Sequence, residues 1–274
     1  MKQIKTKISF LLISFAIMSA FFASCGGDDS TTGTTSGGWP PAFNFKTGQT
    51  FVYNNDSIAN PNGVQQIIHT AKLSTDIVQA QTTIGGQLCY PFLGSTVDTI
   101  IGPPSTVPDV YNVYYDPTGR YYHYGIRQLI NPSQPATWDL IGDFSVARGT
   151  SYTIGTISYS VPLPPPYNNI LFSGPLSGVI KNEDSTTILT KSGETIYCYK
   201  IEMSANISGS YNSLPVTATI FLDYYVGYTT SQFPTNPAGL VRLNLKPFTF
   251  SVSGIAVPAL SEPGYDRYLK SHNP

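Results

Sequence analysis

From residue 43 onward, short β-prone runs alternate with turn residues, and this pattern limits the fold more than any other feature. Gly85-Gly86 divides one pair of runs, and the segment Asn-Pro-Asn-Gly at residues 60–63 divides another. Gly-Gly or Asn-Gly between runs of β-branched and aromatic residues is a strong hairpin signal. No window of a dozen residues repeats its apolar positions with the helical period. The chain is therefore predicted to be mainly antiparallel β.

The turn spacing predicts three hairpins in the first half of the chain. Their strands are residues 49–57 with 64–73, residues 75–84 with 87–92, and residues 110–116 with 121–130. Residues 138–144 and 265–270 are predicted to hold one short turn of helix each. Hairpins at this density favour an antiparallel sandwich or an open or half barrel over an α/β fold.

Segments in the second half of the chain resemble segments in the first half. Residues 45–51 (FKTGQTF) are answered by residues 144–152 (FSVARGTSY), and the Gly-rich turn before Cys89 is answered by a similar turn before Cys198. We interpret this as two related β units, residues 43–145 and 146–274, which together can form one continuous domain. The alternative is that the likeness is coincidental.

Composition agrees with strands and argues against some partners. Charged residues make up 11% of the chain, while tyrosine alone occurs 19 times. The first 24 residues contain three lysines and no acid, so residues 25–274 carry 12 basic (15 − 3) and 16 acidic side chains, a formal charge of −4. Without a basic cluster, nucleic acid is not expected as a partner.

The amino-terminal segment has the pattern of a secretory signal peptide. Lys2, Lys5 and Lys7 precede an almost entirely apolar run over residues 8–23, which small residues and then glycines and acids follow. A membrane-spanning helix needs about 20 apolar residues and a charged flank that stops transfer. Residues 1–24 are therefore predicted to be a cleaved leader.

The end of that run, Phe22-Ala23-Ser24-Cys25, resembles the lipobox of bacterial lipoproteins. The resemblance implies that the leader is cut before Cys25 and that the thiol and the new amino terminus are acylated. Several acyl chains, each stabilised by about 0.8 kcal/mol per buried methylene, hold a domain firmly at a bilayer. The alternative is an ordinary signal peptide that leaves Cys25 as a thiol.

Residues 25–42 are rich in Gly, Ser and Thr and are predicted to be a flexible tether. Asp28 and Asp29 resemble an acidic signal for display on the outer cell surface, or they merely solvate the tether. The predicted location is the bacterial outer membrane, at its periplasmic face or at the cell surface. Phe45-x-x-Gly48-x-x-Phe51-x-Tyr53 and residues 238–242 also resemble uncharacterised all-β lipoproteins, a likeness that implies no activity.

A tyrosine-rich hairpin is the candidate binding surface. Tyrosine rings offer a flat face and a polar tip, which suits the stacking of sugars or the wall of an apolar pocket. The alternative is cross-strand aromatic pairing that stabilises the hairpin alone. The candidate residues are Tyr111, Tyr114, Tyr115, Tyr121, Tyr122 and Tyr124.

Cys89 and Cys198 are the two cysteines of the exported domain. They lie at matching places in the two predicted units, so one disulfide between them is possible in an oxidising compartment. The other interpretation is a pair of buried thiols.

Catalytic signatures are missing from the sequence. It has no Gly-x-Ser-x-Gly, His-Glu-x-x-His, phosphate-loop or dinucleotide pattern, and no metal or cofactor is predicted. For His69 and His123 two interpretations are open. Each is either a general base or a hydrogen-bonded structural residue, which is the more common role of a histidine on a strand.

We therefore predict a lipid-anchored envelope protein with a non-catalytic binding or accessory role. Its expected partners are the membrane and an envelope protein or glycan. Two alternatives stay open: a carrier of an apolar ligand inside the β domain, and a hydrolase of envelope glycans or peptides.

Overall fold

The computed structural model describes residues 41, 43–59, 65–94, 110–116, 118–129, 135–161, 170–181, 186–189, 193–211, 213–229 and 234–273. All of them belong to one unit, Gly37–Pro274. The leader, Cys25 and the turn at residues 60–63 lie outside the described residues.

Antiparallel strands account for nearly all of the regular structure, which confirms the predicted fold class. A 3-10 turn, Ile126–Leu129, is the helical element among the residues described. The strands are β1 Thr50–Ala59, β2 Gln66–Val78, β3 Thr82–Ile84, β4 Gln87–Gly94, β5 Val110–Asp116, β6 Arg120–Tyr124, β7 Trp138–Asp143, β8 Ser151–Val161, β9 Ile170–Ile180, β10 Thr186–Leu189, β11 Thr195–Tyr211, β12 Leu214–Gly227, β13 Gly239–Leu245, β14 Phe248–Val252, β15 Ile255–Glu262 and β16 Gly264–His272.

Twelve strands follow one path in the order β7-β6-β5-β4-β2-β1-β16-β13-β12-β11-β9-β8, and β3, β10, β14 and β15 pair beside it. The first half of the chain forms one side of this path and the second half the other. They meet where β1 pairs with β16, from Phe51 opposite His272 to Ile58 opposite Gly264. The sheet curls into a nearly closed barrel.

The two ends of the path meet through side chains. The Tyr152 hydroxyl on β8 donates to the Ile141 carbonyl on β7 at 2.5 Å. The guanidinium of Arg127, in the 3-10 turn between β6 and β7, donates to the Thr156 carbonyl on β8 at 3.1 Å. This second seam is thus held by side-chain hydrogen bonds, whereas β1 and β16 are joined by a ladder.

Matching turns lead into the first strand of each half. The Gly48 amide donates to the Val78 carbonyl at 2.8 Å, and the Gly149 amide donates to the Ile180 carbonyl at 2.7 Å. Both glycines have positive φ angles, 85° and 79°, which other residues rarely adopt. This likeness is what the interpretation of two related β units expects, and their relatedness stays a prediction.

The interior is filled by strand residues of alternating burial and by aromatic side chains of the segment before β1. Phe43 contacts the rings of Tyr115 and Tyr121 at centroid distances of 4.9 and 4.8 Å. Phe45 contacts Tyr90 and Phe92 at 5.3 and 5.4 Å. The residues that precede the first strand therefore belong to the core.

The three predicted hairpins are confirmed as strand pairs, β1 with β2, β3 with β4 and β5 with β6. Their predicted bounds are partly wrong: β2 continues to Val78, so the strand predicted at residues 75–84 is divided between β2 and β3, and residues 126–129, predicted as strand, form the 3-10 turn. The helical turns predicted at residues 138–144 and 265–270 are wrong, because these segments are β7 and β16. Each is hydrogen-bonded to a neighbouring strand, and such tertiary pairing overrides weak local preferences. Within the described ranges, no helix has the length and apolar character needed to cross a membrane.

Candidate functional site

Four aromatic side chains form a partly exposed group on the outer face of β5, β6 and β7. Tyr114 lies opposite Tyr122, and Tyr124 lies opposite Trp138. The ring centroids are 5.6 Å apart for Tyr114 and Tyr122, 5.9 Å for Tyr114 and Trp138, and 5.1 Å for Tyr124 and Trp138. We call Tyr114, Tyr122, Tyr124 and Trp138 the aromatic patch.

The β3–β4 turn fixes the orientation of the indole ring. Trp138 Nε1 donates to the Ile84 carbonyl at 3.0 Å. Gly85 follows, with a φ of 56°, and a Cβ there would come within 3.1 Å of the indole nitrogen. Glycine therefore lets the turn approach the ring, and the ring is held in place before any ligand arrives.

The six predicted tyrosines are divided between the two faces of the sheet. Tyr114, Tyr122 and Tyr124 come together in the aromatic patch, whereas Tyr121 is fully buried and Tyr115 packs inward against Phe43. Alternation along each strand produces this division.

Tyr111 and Trp138 are the two residues for which the predicted and the observed patch differ in other ways. Tyr111 pairs with Phe92 through its backbone, and its side chain lies outside the described part of the chain. Trp138 was missed as a patch residue because its segment was predicted to be helical. Trp138 and Leu140 are two positions apart, as residues on one face of a strand are, and this spacing is the signal that could have placed Trp138 on the outer face of β7.

The aromatic patch presents ring faces and hydroxyl groups together. Burial raises the pKa of Tyr122, so its hydroxyl stays protonated and can donate as well as accept. Rings of this kind cover the apolar faces of flat ligands, while the hydroxyls bond to polar groups at the ligand edge.

A buried ion pair occupies the inner face of the sheet. Arg267 Nη2 on β16 donates to both carboxylate oxygens of Asp76 on β2, at 2.8 and 2.7 Å. The guanidinium carbon lies 4.1 Å from the centroid of the Tyr53 ring. The Tyr53 hydroxyl in turn donates to the Leu240 carbonyl at 2.9 Å. This set joins β1, β2, β13 and β16 from within.

His123 lies on the same inner face, directly opposite Asp139. Burial, and then the charge of Arg267, lowers the pKa of His123 from 6.5 to about 3, so the imidazole is neutral at neutral pH. Asp139 accepts a hydrogen bond from Arg127 Nε at 2.8 Å, and burial raises its pKa despite that cation. The pair is shielded from solvent, which does not favour acid–base chemistry on a large substrate.

The exposed His69 pairs with the buried carboxylate of Asp56. Its Nδ1 lies 2.7 Å from Asp56 Oδ2, and the Thr70 amide donates to Oδ1 of the same carboxylate at 3.1 Å. Residues 69–71 oppose Asp56 as a bulge in β2, with Ala71 at a φ of 58°. The Thr70 hydroxyl donates to the Asn55 carbonyl, so this hydroxyl is not directed at His69.

Acidic and amide side chains oppose one another across five strands of the outer face. Like charges at such positions are destabilising unless cations lie between them. The sequence could not pair these residues, because they come from distant segments. The row is Asp56, Asp266, Asn244, Asp223 and Glu202.

Neighbouring cations neutralise this row. Arg242 makes two 2.8 Å hydrogen bonds to Asp266, and Lys246 and Lys200 lie 3.2 and 3.4 Å from Asp223. The acidic side chains of the row are thus paired with cations of the same domain, and we interpret the row as structural.

The two cysteines are buried thiols on different strands, Cys89 on β4 and Cys198 on β11. Burial raises the pKa of Cys89 and raises that of Cys198 to about 12, which keeps both protonated and poorly reactive. Over the described ranges, no three His, Cys, Asp or Glu side chains are grouped so that they could hold a metal ion.

Comparisons with known proteins supply little beyond this geometry. No protein-family model and no curated protein matches the chain. A solved structure from Bacteroides fragilis, of a candidate exported protein with a YmcC-like fold, aligns over 85% of this chain and 99% of its own. The identity is 12% and the TM-score 0.38, a similarity too low to support an argument about fold or function.

Proposed function

We propose that the protein is a lipid-anchored protein of the bacterial cell envelope, and that its β domain binds a glycan through the aromatic patch without catalysis. The observation that carries the binding role is the contact between four partly exposed rings on one face of β5, β6 and β7.

Pre-organisation supports this role. Ladder pairing places Tyr114 against Tyr122 and Tyr124 against Trp138, and the Ile84 carbonyl holds the indole. A ligand that stacks on rings already in place immobilises few side chains, which lowers the entropic cost of binding. Sugar rings have the required apolar faces and hydroxyl edges.

The alternatives receive less support from the described residues. A carrier needs a hollow interior, whereas Phe43, Phe45 and the Arg267–Asp76 pair fill the inner face. A hydrolase needs an accessible acid and base, whereas His123 and Asp139 are both nearly fully buried. The exposed His69 is paired with Asp56, but that carboxylate is itself buried.

Lipid attachment is tested by labelling cells with a radioactive fatty acid. The wild-type protein should take up label, and the Cys25→Ser variant should lose it. Equal label in the two proteins would rule out acylation at Cys25. This proposal rests on the lipobox resemblance of residues 22–25.

Glycan binding is tested with the indole of the patch as the reporter. The chain has two tryptophans, Trp39 and Trp138, so Trp39→Phe leaves Trp138 as the sole tryptophan. Titration with soluble peptidoglycan fragments and, separately, with the delipidated polysaccharide of lipopolysaccharide should change its fluorescence saturably for at least one of the two.

Matched variants then locate the binding site. In the Trp39→Phe background, Tyr122→Ala and Tyr124→Ala should each weaken binding about tenfold, which corresponds to the loss of about 1.4 kcal/mol of contact between one ring and the sugar. Phe221→Ala is the control, because Phe221 is an exposed ring on β12, outside the patch. No fluorescence change with either glycan, or equal affinities in all variants, would refute the proposal.

A further inference from the structure

Four large aliphatic side chains are exposed near the turns of three different hairpins. Ile67 and Ile68 follow the start of β2, Leu171 follows the start of β9, and Leu214 begins β12. Between 48% and 65% of each residue's surface is accessible to solvent. Exposed aliphatic residues scattered singly need no explanation, but a shared location does.

The ladder register shows that the β1–β2 and β11–β12 turns lie at the same end of the sheet. Ile58, near the end of β1, is opposite Gly264, the first residue of β16. The next residue, Tyr265, is opposite Leu245, the last residue of β13, and Leu245 is opposite Leu222. The part of β12 before Leu222 therefore extends beyond β13 in the direction in which β1 ends.

The β8–β9 turn lies at this end too. Ser173, near the start of β9, is opposite Ser208, which is near the end of β11. Leu171 and Leu214 consequently belong to neighbouring hairpin ends. We call Ile67, Ile68, Leu171 and Leu214 the hairpin rim.

The chemistry of the hairpin rim suits a lipid surface. The described residues within two positions of its members include no Lys, Arg, Asp or Glu, although His69, which pairs with Asp56, directly follows Ile68. Energetic centres of protein interfaces are enriched in Trp, Tyr and Arg. None of the four rim residues is of these types, and Tyr211, which lies opposite Leu214, packs against the core. Aliphatic side chains with uncharged neighbours enter the headgroup region without desolvating a charge.

The length of the chain before the domain permits such contact. Thr50, the first residue of β1, lies at the opposite end from the rim. Phe43 is 18 residues after Cys25 (43 − 25), a stretch that spans at most about 60 Å when extended. The ten residues of β1 span about 34 Å. A lipid on Cys25 therefore leaves enough chain for the rim to reach the same bilayer.

We propose that the hairpin rim is a membrane-docking surface that inserts its aliphatic side chains into the headgroup region of a phospholipid bilayer. The proposal extends the envelope role above, but it requires no acyl chain on Cys25. Insertion of the rim orients the domain on the membrane, whereas an acyl chain on Cys25 would only keep the domain close to it.

The test uses residues 25–274 with Cys25→Ser, the form that leader cleavage would leave without a lipid. This protein should sediment with vesicles of phosphatidylethanolamine and phosphatidylglycerol. The double variant Leu171→Ser/Leu214→Ser should reduce the partition coefficient at least tenfold, because each leucine loses its burial in lipid. Leu88→Ser is the control: Leu88 is 56% exposed, near the β3–β4 turn at the other end of the sheet, and its loss should change nothing.

Two results would overturn the proposal. One is failure of the unlipidated protein to sediment with vesicles, and the other is equal sedimentation of the rim variant. A dimer in solution that Leu214→Ser dissociates would instead assign the rim to a second copy of the chain. Failure of fatty-acid labelling leaves this vesicle result unaffected, so the two proposals can fail independently.

Discussion

His123 should make the stability of the β domain depend on pH. Its imidazole is buried opposite Asp139 on β7, and burial, followed by the charge of Arg267, lowers its pKa from 6.5 to about 3. In the unfolded chain the same imidazole takes up a proton near pH 6.5. Protonation therefore favours the unfolded state: the contribution of His123 is fully present above pH 6.5 and is lost progressively as the pH falls toward 3.

The expected loss in the free energy of unfolding follows from how far the pH lies below 6.5, the pKa of the imidazole in the unfolded chain. Each pH unit below 6.5 costs about 1.4 kcal/mol of the free energy of unfolding, so pH 5.0 costs about 2 kcal/mol relative to pH 7.5. Most carboxylates with ordinary pKa values near 4 stay ionised over that range.

Urea denaturation at pH 7.5 and pH 5.0, followed by circular dichroism, measures this effect. The wild-type free energy of unfolding should fall by about 2 kcal/mol more than that of His123→Gln over this interval. The variant itself should be less stable at pH 7.5, because the buried site is repacked. An equal pH dependence in the two proteins would show that His123 is accessible to protons in the folded state.

Three further perturbations test the described contacts. Asp76→Asn should lower the free energy of unfolding by about 3–5 kcal/mol, because it leaves the Arg267 charge buried without its counterion, and adding Arg267→Met should restore part of the loss. Gly174→Ala should lower the melting temperature by several degrees, since a Cβ there would lie 2.0 Å from a backbone oxygen of the adjacent strand, whereas Gly155→Ala meets only the end of a side chain at 3.4 Å and should be mild. Tyr152→Phe should cost about 1 kcal/mol and speed amide exchange in β8 while leaving β1 unchanged, and a uniform increase in exchange would contradict a local role.

Local turn chemistry made the hairpins predictable. Gly85-Gly86 lies between two β-prone runs, and both glycines adopt positive φ angles in the structure. Strand alternation also places Tyr114 and Tyr115, which are adjacent in one strand, on opposite faces of the sheet. Signals of this kind act over a few residues, so a single sequence contains them completely.

The two strands mistaken for helical turns lack such a local signal. In β7 the inward positions include Asp139, and in β16 they include Arg267, so the alternation of polar and apolar residues is broken. The partner of Arg267 is Asp76, which is 191 positions away along the chain. Buried charges interrupt the pattern that would identify a strand, and their compensation becomes visible only in three dimensions.

The sequence predicts an aromatic surface on the tyrosine hairpin, but it does not predict which rings belong to that surface. Alternation indicated two faces for the tyrosine hairpin, yet it could not say which face would be covered. Phe43, from the segment before β1, covers the face of Tyr115 and Tyr121, and this leaves Tyr114 and Tyr122 outside. A contact between segments more than 70 residues apart therefore decides which rings are available for binding.

The same reasoning explains why the curled sheet closes differently at its two seams. If the halves are equivalent, the approach of β7 to β8 is the counterpart of the β16–β1 ladder. Between β7 and β8, however, the Arg127 guanidinium donates to the Thr156 carbonyl, which a strand amide would otherwise satisfy, and Tyr152 donates to Ile141 in the same way. Two side chains thus take the place of ladder bonds, so these two carbonyls remain paired although the strands form no ladder. The second seam depends on individual side chains, whereas the first depends on a continuous ladder, and local opening should therefore begin at the second.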